Sequence, residues 1–294
     1  MTSTATKTSH LERTAAEPRD KACDTLTVTL RRIDQVNPQI RLFRLETPPS
    51  GPPVRFLAGQ WLDVFVPSVA KAGGFTITSP PSRALPSDAG PGYLELAIQK
   101  SPDNPPAAWL WQDSSVVLGQ ELQVRIGGSF VWPAPGVDAQ TLRRVVFVAG
   151  GVGINPLVSM LSDISEGASN ELEVKFLYSM KDPGGDRDAG SMLFLERLAA
   201  IFAREKVKGE LKLFLTGGNE EKGTVNCNES DIPFLGRRIE NKDVEEAVGG
   251  PDERSSAVVY VCGVPTMTDT FVKDLTAKEG FGMAPHTVLC EKWW

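Results

Sequence analysis

Between residues 25 and 126, apolar side chains alternate with polar ones or gather in short runs, and proline or glycine breaks the pattern every few positions. Residues 25–33, 40–47, 61–66 and 121–126 read as strands, as does the stretch where Leu94, Leu96 and Ile98 alternate with Glu95, Ala97 and Gln99. One helical piece, 107–112, interrupts them. Short strands punctuated by turn residues predict a small antiparallel barrel. Beyond Trp132-Pro-Ala-Pro-Gly136, which reads as a linker, the period changes. Apolar strands at 144–149, 172–178, 211–216, 257–262 and 287–290 alternate with helical patterns at 156–164, 192–204 and 266–278. Strands buried on both faces and joined by helices predict a parallel sheet with right-handed crossovers. The polar, glycine-rich segments 182–190 and 217–231 are expected as loops, and residues 1–24, which have no apolar period, as a disordered tail. The chain thus divides into a tail (1–24), a β-barrel domain (25–137) and an α/β domain (138–294).

Composition narrows the chemistry. A length of 294 residues suits two domains, and 41% apolar with 23% charged residues is a globular balance. No run approaches the ~20 apolar residues of a membrane helix. With 31 basic against 37 acidic residues the net charge is −6, which argues against nucleic acid or anionic lipid as a partner. Cys23, Cys227, Cys262 and Cys290 form no C-x-x-C pair, and only His10 and His286 are available as imidazole ligands, so no metal site is expected. Unframed thiols fit a reducing compartment. The tail has neither the apolar middle of a secretory peptide nor the acid-poor character of a mitochondrial presequence. A soluble intracellular protein is expected, with cytoplasm and mitochondrion both open.

The most pointed local signal is Phe147-Val-Ala-Gly-Gly-Val-Gly-Ile-Asn-Pro156, a buried strand that ends in glycines and enters a helix at once. Glycines let backbone approach a bound diphosphate, and a helix N-terminus presents unpaired N–H groups at the positive end of its dipole. Pro156 suits the first helical turn, where no amide donor is needed. G-x-G alone is a weak sign, because Pro156 stands where the dinucleotide fingerprint has its third glycine; a strand-to-helix turn without a ligand is the alternative. A second such turn, Val259-Tyr-Val-Cys-Gly-Val-Pro-Thr-Met267, ends another strand, and both can face one crevice at the carboxyl edge of the sheet. Taken alone, Cys262 reads as a small buried hydrophobe.

Phe56-Leu-Ala-Gly-Gln-Trp61, Gly74-Phe-Thr-Ile-Thr-Ser79, Gly150-Gly-Val-Gly-Ile-Asn-Pro156, Cys262-Gly-Val-Pro-Thr-Met267 and Glu291-Lys-Trp-Trp294 occur in the order and spacing of the ferredoxin–NADP reductase superfamily. Over residues 25–294 the chain resembles that superfamily, and within it the oxidoreductase NAD-binding domain-containing proteins. The resemblance implies a two-domain β plus α/β fold: an antiparallel six-stranded flavin-binding barrel, then a Rossmann-like parallel-sheet nucleotide domain. Hydride would pass between nicotinamide and flavin at their junction. On this basis Phe75 packs against the flavin ring, Thr76 lies near its reactive nitrogen, and Ser79 closes that motif. Gly150, Gly151, Val152, Gly153, Ile154, Asn155 and Pro156 form the loop around the nucleotide diphosphate. Cys262 and Gly263 form the turn beside the nicotinamide, and Trp294 is an aromatic cover over the flavin. Thr76, Cys262 and Trp294 are therefore the candidates at the reacting rings, with NAD or NADP and FAD as the implied cofactors. The rings carry the chemistry, which suits a sequence without a triad or paired carboxylates.

The sequence departs from that pattern where the FAD diphosphate would be held. Two residues before Phe75 the usual arginine is Gly73, and the glycine and hydroxyl residue of the next motif fall on Asn104 and Ala107. A charge-assisted phosphate contact is roughly twice as strong as a neutral one, so FAD retention is weakened. Backbone amides opening a helix near Ala107 are expected to compensate in part. FAD, FMN, an exchangeable flavin and no flavin all stay open. So does the nucleotide: Tyr178-Ser-Met-Lys-Asp182 places no acid at the strand end for a ribose diol, and Ser179 with Lys181 can meet a 2′-phosphate, whereas the resemblance leans to NAD. The reading is an NAD(P)H-dependent flavin oxidoreductase that passes electrons to an unidentified acceptor, which can be a separate protein. The alternatives are a flavin-depleted NAD(P)-binding module, acting as redox sensor or partner-binding scaffold, and an electron-transfer subunit of a larger complex.

Overall fold

The computed structural model describes residues 25–50, 53–88, 90–167, 172–185, 187–228 and 230–292; the expected tail and the terminal Trp293 and Trp294 lie outside the described residues. The alternating first part forms β1 (Leu26–Asn37), β2 (Ile40–Glu46), β3 (Trp61–Phe65), β4 (Gly73–Thr76), β5 (Tyr93–Gln99) and β6 (Glu121–Gly127). They make an antiparallel sheet in the order β4-β3-β6-β1-β2-β5. Ile77, just past β4, bridges to Leu96 of β5, so the two edge strands meet and the sheet curls into a barrel. Its interior holds Leu30, Phe43, Leu45, Leu62, Leu94 and Leu96, all fully buried, each contributing about 1.5–3 kcal/mol by leaving water. Two short helices, α1 (Pro105–Leu110) and α2 (Ser114–Val117), connect β5 to β6.

The second part builds β7 (Arg144–Gly150), α3 (Ile154–Glu166), β8 (Glu173–Lys181), α4 (Leu195–Ala203), β9 (Lys208–Thr216), β10 (Lys222–Cys227), β11 (Ser230–Leu235), α5 (Asn241–Val248), β12 (Ala257–Cys262), α6 (Pro265–Thr276) and β13 (Val288–Glu291). The sheet order is β10-β11-β9-β8-β7-β12-β13, parallel throughout except for β10 against β11. Along β7 the side chains of Val145, Phe147 and Ala149 join one core with α3 and α4, while Val146 and Val148 join the other with α5 and α6. Burial on both faces explains the uninterrupted apolar runs. No helix among the described residues is long and apolar enough to cross a membrane.

Two expectations need correction. Much of the segment expected as a loop at 217–231 is the β10–β11 hairpin: Val225, Cys227, Ile232 and Phe234 alternate with polar neighbours and bury one face in the core. Only two apolar residues per strand carry the period, so the polar face dominates the sequence. The helix expected from residue 192 starts at Leu195, because Phe194 has φ +59°, outside the helical region. The segment read as a linker is packed against the second sheet: Phe130, Val131, Trp132 and Ala134 are buried, the Phe130 and Trp132 rings meet Tyr260 edge-on at 5.4 and 6.3 Å, and the Tyr260 hydroxyl donates to the Val131 carbonyl at 2.9 Å.

The two sheets are joined along β5. Its alternation predicts an outward face bearing Glu95 and Ala97, yet both are buried (7% and 5% exposed) because α3 and α4 cover that face. Arg197 Nη2 donates to both Glu95 carboxylate oxygens at 2.8 and 3.0 Å, and Thr78 Oγ1 donates to Glu95 Oε1 at 2.7 Å. Ser159 Oγ donates to the Ser79 carbonyl at 2.8 Å, and Asn155 Nδ2 to the Ala97 carbonyl at 3.0 Å. The strand after which the barrel needs a partner is thus the one that fixes the second sheet's orientation.

Candidate functional site

Where the carboxyl ends of β7 and β12 face β4 and β5, a cavity of about 470 Å³ opens. Phe75 and Thr76 wall it on the barrel side; Gly150, Gly151, Val152, Gly153 and Asn155 wall it from the first turn, and Cys262 and Gly263 from the second. Residues up to 191 positions apart in sequence, from Gly74 to Pro265, share one cleft. Ser79, Ile154 and Pro156 do not line it. Ser79 is buried in the seam, where its hydroxyl accepts the Glu95 amide, and Ile154 and Pro156 lie buried in α3 beneath the turn. Trp294 lies outside the described residues.

Each glycine of the first turn has its own task. A Cβ on Gly153 would overlap the Cys262 carbonyl, and one on Gly263 would sit 3.0 Å from Gly150 Cα, so the two turns pack backbone on backbone. Gly151 differs: it has φ +55° and nothing within 4 Å of where a Cβ would stand. It is the glycine that faces open space. Behind it begins a helix of thirteen residues with no capping side chain; the Ile154 amide bonds back to the Gly151 and Val152 carbonyls, and Pro156 carries none.

The polar groups of the cleft are few. Asn155 is 8% exposed; with its nitrogen given to Ala97, its Oδ1 is buried without a partner, an acceptor left for a ligand N–H. Thr76 is buried in β4 opposite Trp61, and its hydroxyl forms no hydrogen bond within the described residues. Cys262 is the single titratable side chain among the walls. Burial above all, then Glu291 and Cys290, push its thiol well above the ordinary range, so it stays neutral. Among the described residues the cleft walls carry no carboxylate, imidazole or amine, an arrangement that suits chemistry carried by bound rings.

On the barrel side Phe75 folds back over its own strand. A Cβ on Gly73 would meet the Phe75 ring at 2.6 Å and Pro106 at 2.8 Å, so a side chain where the superfamily pattern has arginine would require that ring and Pro106 to shift. The helix expected to compensate does not. Pro105 and Pro106 have no N–H; the Ala107 amide is taken by Asn104 Oδ1 at 3.4 Å, and the Ala108 amide by the Asn104 carbonyl at 2.8 Å. Asn104 is an N-cap, which satisfies the amides a phosphate would need. No Lys, Arg or His lines the cleft among the described residues. The cleft has polar and aromatic walls for a flat ring, but the residues around α1 do not fit the diphosphate of FAD.

The nucleotide side continues differently. From Gly150 and Gly151 a second cavity of about 530 Å³ runs past the carboxyl ends of β8 and β9, walled by Ser179, Lys181, Thr216, Arg238 and Glu240, whose carboxylate pairs with Lys242 at 3.0 Å. Asp182, the nearest acid after β8, is engaged elsewhere. The Arg187 guanidinium reaches its two oxygens at 3.1 and 2.9 Å and, with the Gly184 amide, holds the carboxyl below its usual range. Lys181 and Arg238 have no ion-pair partner among the described residues. Arg238 was not singled out from the sequence: of the pair Arg237-Arg238, the first is bound to Asp243 at 2.6 and 2.7 Å, and nothing in the dipeptide tells which one faces a cavity.

Comparison with known proteins agrees with this geometry. The sequence model of the oxidoreductase NAD-binding domain matches residues 147–273. Oxidoreductase NAD-binding domain-containing protein 1 of Bos taurus is 32% identical over 97% of this chain and 85% of its own length. The Homo sapiens protein of that name is 31% identical over 98% of this chain and 85% of its own. Among solved structures, a ferredoxin NADP+ reductase from Neisseria gonorrhoeae with bound FAD and NADP superposes with a TM-score of 0.65 at 18% identity, covering 92% of this chain and 100% of that one. That likeness establishes the two-domain ferredoxin–NADP reductase fold. With its sequence relatives matched along nearly their whole length and its glycine turn inside the matched domain, the chain belongs to the family of oxidoreductase NAD-binding domain-containing protein 1.

Proposed function

We propose that this protein is an NAD(P)H-dependent flavin oxidoreductase that passes electrons to an acceptor outside the chain. One observation carries the reading: the barrel residues Phe75 and Thr76 and the glycine turns 150–153 and 262–263 wall the same cleft. Ligands of open parallel sheets bind at the carboxyl edge, and the glycines there admit a diphosphate to the backbone. When bound, the nicotinamide supplies the hydride and the flavin ring accepts it. The chain's own residues do the rest. The turns hold the nucleotide, the Asn155 oxygen offers an acceptor to a ring N–H, the neutral Cys262 thiol and the Thr76 hydroxyl line the reacting space, and the packed seam limits water. A boundary near residue 137 between the barrel and nucleotide domains belongs to the same proposal.

Between NAD and NADP, the second cavity favours a phosphorylated ribose. Asp182 is occupied by Arg187, while Lys181 and Arg238 stand unpaired beside Ser179. The absence of a fitting FAD-diphosphate site favours the second reading, a nucleotide-binding module without flavin, to the same extent as it weakens a resident cofactor. The test is anaerobic titration of the full-length protein, mixed with added flavin, with NADH or NADPH. Bleaching of the flavin band is expected; a nucleotide that binds while the band never bleaches would sink the oxidoreductase reading and leave the module.

A further inference from the structure

We propose that this chain takes its flavin as a visiting substrate, riboflavin or FMN, and releases it reduced, rather than keeping FAD as a resident group; the inference rests on the reading above. The two halves of FAD meet opposite receptions. The ring half meets Phe75, Thr76, the unpartnered Asn155 oxygen and the second glycine turn. Among the described residues, the polar groups offered to the diphosphate half are the neutral Gln99, Ser101 and Asn104, the last already spent as a cap on the Ala107 amide. Lys100, the cation between Gln99 and Ser101, has its ammonium over the Trp111 ring, 5.7 Å from the centroid. Room for a cation at position 73 is filled by the Phe75 ring and Pro106. Two consecutive prolines remove the amides that backbone recognition would use.

A flavin whose tail is not gripped is held by its ring alone, and a ring contact without charge-assisted phosphate bonds exchanges readily. The reaction then balances as a two-substrate transfer. The hydride leaves C4 of the dihydronicotinamide with its electron pair and forms the N–H bond at flavin N5. A proton from solvent completes the reduced flavin, and the oxidised nicotinamide departs. The reduced flavin diffuses out and carries the two electrons to whatever acceptor it meets, so no docking of an acceptor protein over the cleft is required.

The test compares three probes on the full-length protein purified without added flavin: riboflavin, FMN and FAD, each titrated by quenching of flavin fluorescence. A colourless preparation and dissociation constants within about threefold of one another are expected, because a gripped diphosphate is worth roughly tenfold or more in affinity. Raising the salt concentration should leave all three constants unchanged. A yellow preparation, or FAD bound more than about threefold tighter than riboflavin, overturns the inference and leaves the oxidoreductase reading standing. If none of the three binds while NADPH or NADH does, the flavin reading itself fails and the inference falls with it.

Discussion

The two sides of the cleft solve one problem, the approach of a phosphate to backbone, and solve it oppositely. The turn after β7 opens a long helix with glycines at 150, 151 and 153, and it continues into a cavity where Lys181 and Arg238 are unpaired. The turn before α1 also opens a helix, yet Pro105 and Pro106 carry no N–H and Asn104 caps what is left. A helix start is therefore not a phosphate site in itself. Proline and a capping side chain each remove amides: α1 has prolines at its first two positions and the Asn104 cap, whereas α3 has a single proline, Pro156, at its third position and no capping side chain. The same comparison separates glycines by task, since Gly73 and Gly153 are small because neighbours fill the space, whereas Gly151 leaves its space open.

The largest effect should come from placing charge at that opening. Gly151→Asp keeps a residue type that tolerates positive φ, costs about 1 kcal/mol of backbone strain, and sets a carboxylate facing the bound diphosphate. Two like charges ~4 Å apart at a protein surface repel by about 4 kcal/mol, so NADPH affinity should fall a hundredfold or more, measured by calorimetry, with riboflavin quenching retained. Gly153→Ala is the contrast. Its methyl overlaps the Cys262 carbonyl, so it should lower the stability of the fold by roughly 1–3 kcal/mol in urea titration and lose the nucleotide through misfit of the two turns. If Gly153→Ala were as stable as the parent, the close approach of the turns would be wrong.

A smaller, more selective effect is expected at the far end of the nucleotide side. Lys181→Ala and Arg238→Ala should each weaken NADPH by about tenfold and leave NADH within twofold, since a hydrogen bond to a charged group contributes roughly 1.5–3 kcal/mol. The probe 2′,5′-ADP, against 5′-AMP, reports the same difference without the nicotinamide. Equal losses for both nucleotides would remove the 2′-phosphate from this cavity.

These contrasts also show what the sequence could and could not convey. The buried strands β7 and β12 and the turns at their ends were readable, because a strand apolar on both faces and a glycine-proline entry into a helix are local patterns. The departures at Gly73, Asn104 and Ala107 were readable as residue types, but not their meaning. That Asn104 would cap the amides expected to help depends on the bend of the chain before α1. The β10–β11 hairpin escaped because its buried face carries only Val225, Cys227, Ile232 and Phe234 amid polar neighbours. Helix α5 escaped for a similar reason: Val244, Ala247 and Val248 are its whole apolar stripe. Arg238 and the Glu95–Arg197 pair are properties of assembled elements, 102 positions apart for the latter, and no local period announces them.

That pair decides whether the two sides act as one site. Glu95 is 7% exposed and takes Arg197 on both oxygens together with the Thr78 hydroxyl, two residues beyond Thr76. Arg197 is about one-third exposed, lies over the Phe194 ring at 4.6 Å and also donates to the Thr78 carbonyl at 3.3 Å, so it keeps partners when Glu95 loses its charge. Glu95→Gln should therefore cost only about 1 kcal/mol, the scale of a partly screened ion pair, in urea titration. Arg197→Met alone should cost more, because it leaves a carboxylate in the seam with the Thr78 hydroxyl as its remaining side-chain donor. The combination Glu95→Gln with Arg197→Met should cost less than the two singles added, since it removes the stranded charge. The functional consequence is read in coupling. In the parent, riboflavin should bind more tightly once NADP+ occupies the nucleotide side, and in the double variant the two affinities should become independent. Additive stabilities with unchanged coupling would mean that the seam holds the sheets together without aligning the two walls of the cleft.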